Sequence, residues 1–275
     1  MTILEAIQRS TDFLARKGVE SPRLQTELLL AHLLKLPRLQ LYLNFERSLT
    51  GQEVEALREM VKRRGQREPL QFIVGSTSFC GLEIAVNRHV LIPRPETELL
   101  AERGWTFLTQ LSTLNPQPST ALDLGTGSGC LAIALAFNCP SALLYATDLS
   151  PTALDLARQN ADRHGLAGRI HFLQGDGFAA LPGQLSLDLI VSNPPYIPTA
   201  DLPALQPEVS AYEPRQALDG GAGGIDFYRR IAADAAPFLK PSGKIMLEFP
   251  SAKFSSNKTG LSKLSWTTTL SARES

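Results

Sequence analysis

The chain has 275 residues, room for roughly two domains of ~150 residues each. Hydrophobic residues make up 43% and charged residues 20%, the balance of a folded globular protein rather than a disordered one. Lys plus Arg and Asp plus Glu both total 27, so the net charge is zero and a whole-protein electrostatic grip on nucleic acid is disfavoured. Cys80, Cys130 and Cys139 form no Cys-x-x-Cys pair and read as reduced thiols in a reducing cytosol. The longest apolar runs, residues 28–34 and 131–137, fall far short of the ~18 residues of a membrane span. Met1-Thr2-Ile3-Leu4-Glu5 lacks the basic and then apolar order of a secretory signal. A soluble, cytoplasmic protein without a membrane partner is expected.

The first 65 or so residues read as short helices. Ile3, Leu4, Ile7 and Leu14 recur at helical spacing until Gly18. Ser21-Pro22 offers a cap and a proline start to a helix carrying Leu24, Leu28 and Ala31. Pro37 separates it from a helix with Leu39, Leu41 and Leu43, and Thr50 with Glu53 has capping-box spacing ahead of Val54, Leu57 and Val61. Residues 71–75 and 82–86 then predict the two strands of a β-hairpin linker. A helix follows from Pro95 towards Leu108, ending in a Ser/Thr/Pro/Asn loop.

Beyond that loop, strands predicted at 121–124, 143–147, 170–173, 187–191 and 244–249 alternate with helices at 129–137, 151–164 and 225–238. Such alternation predicts an α/β domain with a mostly parallel sheet, whose ligands bind at the carboxyl ends of the strands. The expected division is a helical domain at 1–70, the hairpin linker at 71–92 and the sheet domain at 93–275.

Asp123-Leu124-Gly125-Thr126-Gly127-Ser128-Gly129 lies between the first strand and first helix of this sheet. Its alternating glycines permit a sharp turn and close backbone approach to a ligand. Cys130 replaces the third glycine of a dinucleotide loop, and the Lys-Ser/Thr pair of a phosphate loop is missing. S-adenosylmethionine, which has no pyrophosphate, fits better, since it needs backbone contact, a helix start for its carboxylate and acids for its ammonium and ribose. Asp148 ends the second strand, where it can accept from both ribose hydroxyls. Asp123 falls near the ammonium, and Asp176, in Gln174-Gly175-Asp176-Gly177-Phe178, ends the third strand near the adenine amine. The candidate cofactor set is therefore Asp123, Gly125, Thr126, Gly127, Ser128, Gly129, Asp148, Asp176, Gly177 and Asn193. A tight turn with aspartate helix caps is the plainer account of the same residues.

Ser192-Asn193-Pro194-Pro195-Tyr196 follows the fourth strand. A planar nitrogen is a poor nucleophile because its lone pair is delocalised. The Asn193 side-chain oxygen and the Pro194 carbonyl can face its two N–H bonds, Pro195 stiffens their backbone, and Tyr196 can pack on the planar group. Asn193, Pro194, Pro195 and Tyr196 are the candidate catalytic and substrate-binding residues, and a neutral thioether leaving group asks for positioning more than acid catalysis. His32, His89, His164 and His171 are scattered without ligand spacing, so no metal is expected.

Both motifs resemble those of amino-methyltransferases in general. Three further stretches are more specific: Phe79-Cys80-Gly81-Leu82, the run from Val90-Leu91-Ile92-Pro93-Arg94 through Pro95-Glu96-Thr97-Glu98, and Glu213-Pro214-Arg215-Gln216-Ala217-Leu218. Together they resemble the HemK/PrmC family, the release-factor glutamine methyltransferases, from about residue 1 to Glu248. The resemblance implies a Rossmann-like S-adenosylmethionine-dependent methyltransferase domain with a seven-stranded type of sheet. It implies methyl transfer to the side-chain amide nitrogen of the glutamine in the Gly-Gly-Gln motif of class I peptide-chain release factors, with the N-terminal helices holding that protein. It also places Arg94, Glu96 and Thr97 beside the cofactor, where they join the substrate-binding set.

After Glu248 the sequence departs from that family, running from Phe249-Pro250-Ser251 into a Ser/Thr/Lys-rich tail. One strand is expected at 261–268, and the sheet is expected to be incomplete or altered at its C-terminal end, which would expose ladder groups. Two other readings stand beside the leading one. An adenine or cytosine amino-methyltransferase would use the same Asn-Pro-Pro-Tyr geometry, although no direct nucleic-acid partner is predicted. A catalytically weak cofactor-binding partner protein is motivated by the odd tail alone.

Overall fold

The computed structural model describes residues 1–114, 117–183 and 185–249 and the backbone of 267–271. The chain divides into two compact units, Met1–Ser76 with Gln206–Tyr212, and Thr77–Leu205 with Glu213–Ser275.

The first unit is helical: α1 (Ile3–Arg16), α2 (Pro22–Leu34), α3 (Arg38–Leu43), α4 (Gly51–Gly65) and α5 (Leu70–Val74). Its core gathers Ile3, Ile7, Leu14, Leu29, Leu30, Leu41 and Leu57. The capping box expected at Thr50 and Glu53 is formed, with bonds of 3.2 and 2.8 Å, and Thr2 with Glu5 makes another. Ser21 does not cap as expected: it stands at the N-cap position with φ 47° and its hydroxyl makes no cap bond, leaving Pro22 to set the start of α2.

The strand expected at 71–75 is a helix instead. Leu70, Ile73 and Val74 have i, i+3, i+4 spacing and pack on the bundle core, and Gly75 ends the turn with φ 83°. A run of five residues is too short for periodicity to separate the two states, and burial against the bundle decides. The first hairpin strand is instead β1 (Ser76–Phe79), and the second, expected at 82–86, is β2 (Leu82–Ala85). Cys80 and Gly81 between them have φ 50° and 76°, both central positions left-handed as the two-residue hairpin turn requires.

The rest of the second unit runs α6 (Pro95–Leu114), β3 (Thr120–Leu124), α7 (Cys130–Asn138), β4 (Leu143–Asp148), α8 (Pro151–Arg163), β5 (Ile170–Gln174) and β6 (Leu187–Ser192). A four-residue helix, α9 (Pro207–Ser210), belongs to the first unit, and the chain then returns to α10 (Asp226–Asp234), β7 (Leu239–Glu248) and β8 (Thr267–Ser271). The sheet order is β5-β4-β3-β6-β7-β8, with all neighbours parallel except the last pair. Every residue of β6 and four of five in β3 are buried, as central strands covered on both faces demand.

The chain winds outward from β3 to β5 and then crosses back to β6 on the other side of β3. That reversal opens a crevice at the carboxyl ends of β3 and β6. Ser192 binds the two strand ends together, its hydroxyl donating to the Leu124 carbonyl at 2.6 Å.

Several boundaries move, and α6, expected to run from Pro95 towards Leu108, continues to Leu114 into the expected loop. The strand expected at 244–249 is longer, Leu239–Glu248, and the helix expected at 225–238 stops at Asp234 before a 3-10 turn. At the C-terminal end, residues 261–266 of the strand expected at 261–268 lie outside the described residues, and the strand found there is β8, paired antiparallel with β7.

Candidate active site

The glycine loop is built by backbone demands. Gly125, Gly127 and Gly129 all have positive φ (77°, 54° and 82°), which side-chain-bearing residues adopt only at a cost. A Cβ on Gly129 would also stand 3.0 Å from that of Ala157, so α8 packs directly on the loop. The Gly125 and Thr126 amides both donate to the Thr147 carbonyl at 2.9 Å, tying the loop to the end of β4.

Asp148 closes the same turn. One carboxylate oxygen accepts from the Gly127 amide at 2.8 Å and the other from the Ser150 amide at 2.9 Å. Each oxygen retains a second lone pair, and the side chain is half-buried at the crevice. Asp123 lies beneath the loop, wholly buried; its Oδ2 accepts from the Thr126 hydroxyl at 2.6 Å and the Ala132 amide at 3.1 Å. Its Oδ1 has no partner. Burial pushes the Asp123 carboxyl up to about 7, against the pull of those two donors. Asp176 is exposed and ion-paired to Arg230 at 2.7 Å.

These groups surround a cleft of about 460 Å³, a volume suited to a cofactor-sized ligand. Gly125, Thr126, Gly127, Ser128, Asp148, Asp176, Gly177, Asn193, Pro194, Pro195 and Thr97 line it. Asp123, Gly129 and Tyr196 do not; the first two brace the loop from below, and the Tyr196 ring packs on the core between sheet and helices. Burial raises the Tyr196 phenol further above its ordinary range.

Arg94 and Glu96 are not among the lining residues either. Arg94 is tied to the buried Glu213 at 2.7 Å, which joins two of the sequence stretches singled out above across 119 residues. Burial raises the Glu213 carboxyl, with Arg94 opposing.

Asn193 caps the end of β6 under tight control. Its Nδ2 donates to the Thr97 hydroxyl at 3.2 Å, and that hydroxyl donates to the buried Glu248 at 2.7 Å. The Asn193 Oδ1 is buried without a partner. Burial raises the Glu248 carboxyl, opposed by the Thr97 hydroxyl.

The glycine-rich segment at 219–224, which the sequence suggests as a helix entry with some substrate contact, also braces the backbone just after Asn-Pro-Pro-Tyr. Gly220 donates to the Ile197 carbonyl at 2.8 Å, and Ile197 and Thr199 donate to the Leu218 and Gly221 carbonyls at 3.0 Å. Glu248 behind Asn193, and Asn160 on α8, whose side chain bonds the Ala85 backbone and the Ser128 carbonyl, are positions that sequence reasoning missed. Neither carried a local signal.

Two family models match the chain, the PrmC N-terminal domain over residues 5–75 and the methyltransferase small domain over residues 104–204. The chain is 48% identical over 247 residues to a protein of Geobacter sulfurreducens named release factor glutamine methyltransferase, covering 90% of this chain and 84% of that one. Proteins of the same name from Chlorobaculum tepidum and Moorella thermoacetica are each 44% identical, covering 90% and 91% of this chain and 85% and 86% of theirs. With its Rossmann-like methyltransferase sheet and its helical N-terminal unit, the chain belongs to the release factor glutamine methyltransferase family.

Proposed function

We propose that this protein transfers a methyl group from S-adenosylmethionine to the side-chain amide nitrogen of the glutamine in the Gly-Gly-Gln motif of class I peptide-chain release factors. The observation that carries the reading is Asn193 on the lining of the cleft, whose Oδ1 is a buried acceptor without a partner. An orphan acceptor in that place is satisfied by a ligand that brings an N–H donor. The membership established above supplies the substrate.

The cleft fits the cofactor on its own chemistry. The left-handed glycines leave open backbone at Gly125 and Gly127, where a Cβ would meet nothing within 4 Å, and two buried oxygens, Asp123 Oδ1 and Thr147 Oγ1, lack partners. Gly125, Thr126, Gly127 and Ser128 would hold the amino-acid end with Asp123 beneath it, Asp148 the ribose, and Asp176 with Gly177 the base. When bound, the cofactor supplies an electrophilic methyl group and departs as a neutral thioether.

The chain's own part is orientation. Asn193 and the Pro194 carbonyl accept the two N–H bonds of the glutamine amide, holding its nitrogen ready to give up conjugation. The prolines fix the backbone that carries both acceptors. The helical unit, Met1–Ser76 with Gln206–Tyr212, is assigned to holding the release factor and the sheet unit to catalysis, and the protein is placed in the cytoplasm where its substrate works.

The test incubates protein, S-adenosylmethionine and a release factor and maps the methyl group by peptide mass spectrometry. Transfer to the motif glutamine is expected, with Asn193→Ala lowering turnover on the order of 100-fold or more while cofactor binding persists. Methyl found on added DNA or RNA and absent from the release factor would overturn the assignment.

A further inference from the structure

We infer that Thr97 and Glu248 are positioning residues that lock the Asn193 amide in one of its two orientations, and that this lock is what makes the site choose a carboxamide over a carboxylate. The inference rests on the glutamine reading above and extends it to residues that sit behind the acceptor.

An asparagine side chain is nearly symmetric in shape, and rotation by half a turn exchanges its acceptor for its two donors. Nothing in Asn193 alone decides which end faces the cleft. The decision comes from a chain of hydrogen bonds with one direction. Thr97 has a single hydroxyl proton, and it goes to Glu248 Oε2 at 2.7 Å. Towards Asn193 the hydroxyl therefore offers only lone pairs, and the Asn193 Nδ2 meets it at 3.2 Å. With the nitrogen held inward, Oδ1 is left as the buried acceptor.

The origin of the chain is itself immobilised. Thr97, 2% exposed on the first turn of α6, and Glu248, at the end of β7, are both buried. The Glu248 carbonyl accepts from the Tyr228 hydroxyl at 2.7 Å, and Tyr228 stacks on Phe249 at a ring separation of 4.3 Å. Glu248 lies 151 residues from Thr97, so three separate elements hold one amide in place.

A substrate glutamine brings N–H donors to this acceptor, whereas a glutamate brings only lone pairs and is refused. Were the amide reversed, its NH₂ would face the cleft and the preference would invert. Thr97→Val keeps the shape and removes the hydroxyl, and Glu248→Leu removes the acceptor that claims the Thr97 proton. Thr97→Ser and Glu248→Gln each keep the chain, since serine retains the hydroxyl and the glutamine oxygen can still accept from it.

The experiment measures turnover on a release factor, S-adenosylmethionine affinity by calorimetry, and inhibition by a release factor whose motif reads Gly-Gly-Glu. For Thr97→Val and Glu248→Leu, kcat should fall roughly tenfold or more with cofactor affinity within about twofold. The Gly-Gly-Glu protein should inhibit them better than it inhibits the wild type. Thr97→Ser and Glu248→Gln should recover most of the turnover and of the Gln-over-Glu preference that Thr97→Val and Glu248→Leu lose. A Thr97→Val protein with wild-type turnover and an unchanged Gln-over-Glu preference overturns the inference and leaves the glutamine reading standing. A wild type that does not methylate the release factor defeats that reading instead. Neutron diffraction of the wild type decides the lock without any variant: amide deuterons of Asn193 pointing to Thr97 support it, and deuterons pointing into the cleft overturn it.

Discussion

Asn160 holds Ala85 by both of its backbone groups. The Ala85 amide donates to Asn160 Oδ1 at 2.8 Å, and Asn160 Nδ2 donates to the Ala85 carbonyl at 3.0 Å and to the Ser128 carbonyl at 2.9 Å. One wholly buried side chain on α8 thus fastens the end of the hairpin to the glycine loop, with its donors and its acceptor all used.

Asn160→Ala removes all three bonds and leaves a buried amide and two carbonyls without partners. At about 1–3 kcal/mol for an orphaned buried group, with partial relaxation, the loss should be about 3 kcal/mol. That corresponds to a fall in Tm of roughly 6–12 °C for a unit of this size. Asn160→Asp should be at least as harmful, since a carboxylate cannot donate to either carbonyl. A wild-type Tm for Asn160→Ala by calorimetry would remove this role.

The contrast between such residues and the motifs explains what could be read in advance. The glycine loop and Asn193-Pro194-Pro195 were legible because their constraints are local: left-handed turns need glycine, and stiff backbone needs proline. The alternation of the second unit likewise announced a parallel sheet. Asn160 and Glu248 act across 75 and 151 residues of chain and have no local pattern that marks them, and Thr97 stood out only through the family resemblance. Residues 71–75 misled for the opposite reason, because a short Phe-Ile-Val run favours strand by composition while the bundle core selects helix. Tyr196 completes a motif by sequence, yet its ring serves the core.

Gly220 is required by close packing against the Asn-Pro-Pro-Tyr segment. A Cβ there would stand 2.8 Å from the Pro195 carbonyl oxygen, 2.8 Å from the Tyr196 Cα and 2.9 Å from the Gly224 Cα, all backbone that cannot rotate aside. Gly220→Ala must therefore push the Asn-Pro-Pro-Tyr backbone and misplace the acceptors it carries. Turnover should fall by about tenfold or more with cofactor affinity nearly unchanged. Gly223→Ala is the control, because its Cβ would meet only the Ile225 side chain at 3.7 Å. Equal kcat for the two variants would refute the bracing role.

Glu208 gathers two arginines inside the first unit. Arg64 reaches one carboxylate oxygen at 2.8 Å, and Arg67 reaches both, at 2.7 and 2.6 Å. The Arg64 side chain is only 5% exposed, so removing its counter-charge leaves a buried cation. Glu208→Gln should cost about 2 kcal/mol, below the 3–5 kcal/mol of a fully buried pair because Arg67 still reaches solvent. Burial alone would raise the Glu208 carboxyl, but the bonds from Arg67 and Arg64 outweigh it and hold it below its ordinary 4.5. A depressed carboxyl stabilises the fold above its unfolded value and ceases to do so as pH falls through its folded one. Wild type should therefore lose stability below about pH 4.5, while Glu208→Gln, already weakened, should lose less over that range. Parallel acid-denaturation curves for the two proteins would count against the pairing.

Asp123 acts in the opposite direction. Burial lifts its carboxyl from 3.8 to about 7, so between those values the folded chain binds a proton that the unfolded chain has released. Stability contributed by this group is full below the unfolded value and declines as pH rises through that interval, with nothing further lost above it. Asp123→Asn keeps an acceptor for Thr126 and Ala132 and has no proton to release. Without cofactor, the variant should show a flatter stability profile between about pH 4 and 7 and should exceed wild type at pH 8. A bound ammonium group would favour the ionised carboxylate, so cofactor affinity in the wild type should weaken as pH falls below about 7. Calorimetry in buffers of different ionisation heat should then detect a proton released on binding at pH 6, and none for Asp123→Asn. The two effects separate the roles of the residue: a flat wild-type stability curve denies the buried proton, whereas pH-independent affinity denies that Asp123 meets the ammonium.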